Sequence, residues 1–280
     1  MKPTKISLIR ISIAIISMFF LSENLLSQGQ IPAGNYPNVT DAKGLKQGAW
    51  KKLDENGTCV YVGQFKDDKP YGIFQYFDTD GRIMTEMNFL TGGPVAYCKM
   101  YSVSGKVQAE GKYINQQKDS VWKFYTEEGV LLSVETYVNG KREGKSITYI
   151  PGTSQAAEIK YFKHGLEDST WTQYYPDGKK AAEGTYKMGN YQGRAIWYFQ
   201  DWKINIMGNY KDGLKDGVWV YYWYNPDKND AYEVKGKETW KNGKITSGEE
   251  IIKNSDFTKQ VEDPQDPNHN AGSDDPAVPH

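Results

Sequence analysis

The chain has 280 residues, a net charge of −1, and nearly equal numbers of basic and acidic side chains, 34 and 35. That balance gives no concentrated basic face of the kind nucleic-acid binding requires. Mean hydropathy is −0.71 and hydrophobic residues make up 38%, too few for a thick core, yet aromatic residues reach 14%, with 21 tyrosines and 8 tryptophans. Such amphipathic rings suit the half-wet surface of a sheet.

Read in chain order, the first segment is a targeting signal. Lys2, Lys5 and Arg10 precede an apolar run at residues 11–21 that Glu23 ends. The run is too short to cross a hydrocarbon layer of about 30 Å as a helix. It reads as a secretory signal peptide, residues 1–27, with Leu25 and Ser27 before the cleavage point; an uncleaved anchor is the alternative. The only cysteines are Cys59 and Cys98, so the expectation is an exported chain that is not a lipoprotein, located in the periplasm, at the periphery of an outer membrane or outside the cell. In its mature form it has no integral membrane span. Residues 28–43 read as a linker.

Residues 44–248 carry an internal repeat, the feature to seek before any other. The small residues Gly48, Gly72, Ala96, Ser120, Gly144, Ser169, Gly193 and Gly217 mark eight units spaced by 24 residues, with a single 25 between the fifth and sixth. Seventeen residues after each of the first seven markers stands an aromatic: Phe65, Phe89, Tyr113, Tyr137, Tyr161, Tyr186 and Tyr210. In the eighth unit Trp240 comes six residues late, which matches an inserted polar loop around Pro226 and Asp230. The one-residue insertion is placed at the turn holding His164.

Each unit has two apolar stretches. A glycine turn such as Asp54-Glu55-Asn56-Gly57 separates them, and a second glycine, as at Gly92, Gly140, Gly189, Gly213 and Gly243, closes the unit. Two turns in 24 residues leave two short strands, a hairpin. The second strand alternates with period two: Ile83, Thr85, Met87 and Phe89 on one face, and likewise Val107, Ala109, Gly111 and Tyr113. A four-residue loop would set Trp50 opposite Tyr61 and Gly48 opposite Gly63, leaving a bare glycine surface, shared by Gly111, Gly184 and Gly208, on which a neighbouring ring can lie. The expected fold is all-β, an elongated single-layer antiparallel sheet of about sixteen strands, on the order of 75 Å long at about 4.8 Å per strand. A sheet of that length must twist or coil. Residues 249–280 read as a disordered acidic, proline-rich tail, since the stretch from residue 255 holds six acidic residues and four prolines.

Units such as Gly217-Val218-Trp219-Val220-Tyr221-Tyr222 and Ser120-Val121-Trp122-Lys123-Phe124-Tyr125 resemble the variant MORN repeat (membrane occupation and recognition nexus), which in bacteria includes YwqK-type antitoxin-like proteins. The resemblance runs from about Gly44 to Gly243. It implies a sheet of hairpins without catalytic activity, and it brings associations with protein scaffolding, lipid and toxin neutralisation. Cys98, Ser146 and Ala195 depart from the aromatic that stands two residues after the marker elsewhere.

No chemistry-bearing constellation emerges. His269 and His280 lie in the tail and His164 stands alone in a turn; no cluster has metal-ligand spacing, and no nucleotide or nucleophile motif occurs. No cofactor is expected. Two cysteines in an oxidising compartment invite a disulfide, but two whole strands intervene, putting them on the order of 14 Å apart, too far to bridge. Trp50, Trp122, Trp171 and Trp219 recur with the repeat and read as packing, or as a ladder for sugars or a protein strip. The residues that break the period, Trp197, Tyr198, Trp202, Tyr222, Trp223 and Tyr224, crowd into units 7 and 8 and are the candidate partner-binding set, with an end cap as the alternative. The leading expectation is a protein-binding scaffold or adaptor of the cell envelope. A glycan or cell-wall binding module and an antitoxin-like neutralising protein are the alternatives.

Overall fold

A computed structural model describes residues 33–90, 92–225 and 231–250. The segment read as a signal peptide, the polar loop at residues 226–230 and the segment read as a tail beyond residue 250 lie outside the described residues. Every regular element described is a β-strand, and no described helix is long and apolar enough to cross a membrane.

The strands form one 20-stranded sheet. Each pairs antiparallel with its neighbour in sequence, so the chain runs as an unbroken meander from Val39–Thr40 to Lys244–Glu250. Eight units supply two strands each. Four more elements make up the number. The first strand is split at unit 5, as Lys141–Arg142 and Gly144–Tyr149, and at unit 7, as Asn190–Tyr191 and Gly193–Tyr198. Val39–Thr40, inside the segment read as linker, adds to the leading edge, and Asn38 caps that edge by exchanging two hydrogen bonds with the backbone of Lys51. Lys244–Glu250 is half of a ninth unit.

The hairpin turn differs from expectation. It holds five residues: Asp54 N–H donates to Thr58 O and Gly57 N–H to Asp54 O, with Gly57 left-handed at φ 81°. A β-bulge follows at once. One extra loop residue and one bulge residue shift the register by two. Trp50 therefore faces Gly63, and Gly48 faces Phe65, in place of the expected partners. A shift of two preserves the faces of the strand body. The bulge does not preserve the residue beside the turn: Ile83 pairs with Phe77 and packs with Cys59 and Val62, on the side away from Thr85 and Met87, and Val107 is displaced in the same way by its pairing with Tyr101.

Two further expectations are corrected. The 25-residue spacing arises in the hairpin loop of unit 5, where six residues, 150–155, separate Tyr149 from Ala156, and not at His164. Phe162 therefore takes the place opposite Gly144 and is buried, while Tyr161 turns to the other face. The marker residue is small for a backbone reason. Gly48, Gly72, Ser120, Gly144, Ser169, Gly193 and Gly217 all have positive φ, and a Cβ on Gly48, Gly72, Gly144 or Gly217 would meet nothing within 4 Å. Ala96 is the exception because its strand pairs with Ile83–Phe89 without a bulge.

Candidate interaction surface

One face of the sheet carries the main packing, and the other is open except for the small buried cluster of Cys59, Val62 and Phe77. The packed face is built from a ring laid on a glycine. A Cβ on Gly111 would fall 2.3 Å from the Trp122 ring, one on Gly208 2.2 Å from Trp219, and one on Gly63 2.4 Å from Phe74. In each case the aromatic two residues after a marker lies flat over the glycine of the preceding unit. The indole N–H groups then reach backbone acceptors, Trp122 to Lys112 O at 3.0 Å and Trp219 to Asn209 O at 3.2 Å. Trp122 is 0% exposed even though the sheet is a single layer. Tyr113 covers it edge-on at 4.9 Å, Phe124 stacks at 6.1 Å, and the Lys118 ammonium sits 5.1 Å from its ring. Lys215 takes the same position over Trp219 and Trp240, and Lys46 over Trp50 and Phe65.

The departures are compensated locally. Met87 replaces the glycine next to Cys98, so a flexible side chain fills what a ring fills elsewhere. Trp171 faces Lys160 in the preceding unit and cannot lie there. It lies over Gly184 of its own hairpin, where the next unit offers only the small Ala195. Its Nε1 is thereby buried without an acceptor.

The inter-repeat turns form a second ladder that sequence reasoning missed. The residue before the marker accepts a hydrogen bond from the turn that closes the unit: Glu143 from His164 N–H at 2.7 Å, Gln192 from Asp212 N–H at 3.0 Å, and Asp168 from Met188 N–H at 3.2 Å. Gln47 and Asp216 do the same for Asp67 and Asn242. The polar residue recurring just before the marker was the available signal.

The six candidate residues are not brought together as one cluster. Trp197 joins the packed face, with ring centroids 6.4 Å from Trp171 and 5.8 Å from Trp219. Tyr198 points the other way and donates to Glu183 at 2.6 Å. Tyr222 stacks on Tyr232 at 4.9 Å, and the Tyr232 hydroxyl donates to Ile204 O. Trp223 is half-buried opposite Glu233, and the Tyr224 side chain lies outside the described residues. Trp202 differs from all of these. It occupies the turn position that glycine holds in units 1 to 4 and in unit 6, has φ 74°, and is 56% exposed.

The open face carries a row that the sequence reading did not single out. Ile73, Tyr97 and Val121, each one residue after its marker, are exposed by 55%, 55% and 51%. Asn88 lies between the first two, paired with both. Tyr161 continues the row and Val218 repeats it near the far end. Glu86, Lys99, Glu110 and Lys123 flank it in alternating sign. The Tyr125 hydroxyl donates to Glu110 at 2.7 Å and holds that carboxyl below its usual range. Among the described residues no group of three or more His, Cys, Asp or Glu side chains is placed to hold a metal ion.

The MORN repeat variant family matches two stretches, residues 118–139 and 167–188, which are the fourth and sixth units from inter-repeat turn to inter-repeat turn. These units are MORN-variant repeats, and such repeats are in general binding modules and not enzymes. No curated protein matches the chain. Among solved structures, a chain of the Photorhabdus luminescens Tc holotoxin pore is similar over 74% of this chain, at 12% identity and a TM-score of 0.20. The match spans 13% of that toxin chain's length.

Proposed function

We propose that this protein is a non-enzymatic scaffold of the cell envelope that binds another protein through the open face of its sheet. The row Ile73, Tyr97, Val121 carries this reading. These exposed apolar side chains alternate with Asn88 and Lys112 along the row and are rimmed by charge, a mixed surface of the kind protein interfaces use, and aromatic residues are enriched at interface centres. The packed face is covered by its own rings, so it does not compete as a docking surface at units 2 to 4. Export rests on the signal-peptide pattern of residues 1–27.

The test is site-specific photocrosslinking in envelope preparations, with the crosslinker at position 97 or position 122. A defined adduct at 97, absent at 122 and abolished by Val121→Glu, supports the reading. Equal crosslinking at both positions, or none at 97, rejects it. A glycan reading survives at one place, Trp202, whose exposed ring is open for stacking on a sugar. Retention on peptidoglycan that is lost in Trp202→Ala would favour that reading over the first.

A further inference from the structure

The packed face thins at one unit, where Phe162 under the Arg142 guanidinium is the buried ring that remains. Packing on this face forms two runs among the described residues: one from Trp50 to Tyr137, in which Met87, Cys98 and Ala109 bridge the ring contacts that end at Phe89 and resume at Tyr113, and one of ring contacts from Trp171 to Trp219. Between Trp122 and Trp171 the row of rings and glycines is replaced by Glu135, Ser146 and Lys160. The adjacent row, which holds Phe124 before the gap and Trp197 after it, reads Ser133, Thr148, Glu158 and Gln173. These groups are bonded to one another and to the rim: the Tyr137 hydroxyl to Glu135 at 2.7 Å, Lys160 to Glu158 at 3.2 Å, and Gln173 to Glu158 at 3.1 Å. The loop of the same unit carries the extra residue, and the next unit holds the indole without an acceptor.

In a repeat array cooperativity is passed from unit to unit by the interface between neighbours. Ring-on-glycine packing couples units strongly because separating them exposes apolar area and leaves a void. A half-exposed polar network couples them weakly, because water replaces its hydrogen bonds when it opens. We infer that unit 5 is a joint, and that the array consists of two separately cooperative blocks, units 1–4 and units 6–8, which move and unfold independently about it. The blocks correspond to the two packed runs. The polar residues confer a low opening cost at one defined place without breaking the backbone ladder, which continues through Gly144–Tyr149 and Ala156–Lys163.

Native-state hydrogen exchange on the full chain tests this directly. Amides of Gly144–Tyr149 and Ala156–Lys163 should exchange at least roughly tenfold faster than those of Gln117–Tyr125 and Ile204–Lys211, as expected for a locally opening segment. Denaturant unfolding followed by exchange should show two steps, each confined to one block. Glu135→Gly combined with Ser146→Trp recreates the Gly111–Trp122 arrangement across the gap and should bring unit 5 to its neighbours' protection and merge the steps. Uniform protection across units 3 to 7 in the natural sequence, or a single unfolding step, overturns the inference. The natural sequence alone decides if the double variant fails to fold.

Discussion

Gly111→Ala probes the packing principle of the whole array. Gly111 pairs with Cys98 in extended backbone without positive φ, so the substitution needs no left-handed residue; its effect comes from the new Cβ, 2.3 Å from the Trp122 ring. That ring cannot retreat easily, because Tyr113, Phe124 and Lys118 hold it and it is fully buried. Overpacking a tight site costs about 1–3 kcal/mol. Tilting the indole also weakens its hydrogen bond to Lys112 O, for about 1 kcal/mol. Replacing glycine returns about 0.4–1 kcal/mol through the unfolded chain. The net expectation is a loss of about 2 kcal/mol, a drop in Tm of about 4–8 °C for a chain of this size, with a change in tryptophan fluorescence. Gly248→Ala is the control, since its Cβ meets only ordinary contacts at 3.8 Å. The decisive measurement is the double variant with Trp122→Ala. With the ring gone, the methyl added by Gly111→Ala should cost nothing further, giving a coupling of about 1–2 kcal/mol. Additive losses, or a Gly111→Ala chain as stable as the parent, would refute ring-on-glycine packing.

Other outcomes follow from the same geometry. Trp202→Gly should raise stability by about 1 kcal/mol, because a left-handed residue prefers glycine, while Trp122→Ala should cost about 3–5 kcal/mol; thermal melts compare them. Burial pushes the Cys98 thiol up to about 12, so it should resist alkylation at pH 8 in the folded protein, with both thiols titrating after denaturation. Glu110, whose folded pKa is depressed mainly by the Tyr125 hydroxyl, contributes stability that is present above its unfolded pKa and lost as pH falls through the folded value. The stability gap between the parent and Tyr125→Phe should therefore be wider at pH 6 than at pH 2 in denaturant titrations.

The architecture was legible because its causes are periodic. A 24-residue spacing, glycine turns and two-residue alternation each follow from local backbone geometry, and together they dictate a meander of hairpins. The register was not legible. The turn chemistry Asp-x-x-Gly specifies a left-handed glycine, but it does not say that the loop takes a fifth residue or that a bulge follows. Those two residues decide which partner Trp50 meets, and they carry Ile83 to the opposite face from Thr85. The insertion in unit 5 was misplaced for a related reason. Tyr161 and Phe162 are adjacent aromatics, and sequence spacing alone cannot tell which is packed. Only the loop length, six residues against five, assigns Phe162.

The surface was harder to read because one residue type serves opposite ends. Tryptophan recurring two residues after a marker is buried wherever the preceding strand offers a glycine, as for Trp122 and Trp219. Trp50 has no preceding unit and is only half-buried, and Trp171, refused by Lys160, turns to its own hairpin. The fate of each ring is therefore set by a residue one strand away. A crowd of aromatics such as residues 197–224 is for that reason a poor indicator of a site: alternation sends Trp197 and Tyr198 to opposite faces before any partner is involved. Better indicators are residues that occupy a periodic position against its structural logic. Trp202 stands where the backbone asks for glycine, and Tyr97 stands in an exposed row where a polar side chain would serve folding equally well. Neither is required by the packing described, so folding stability does not account for either, and each is a place where binding can be tested without disturbing the sheet.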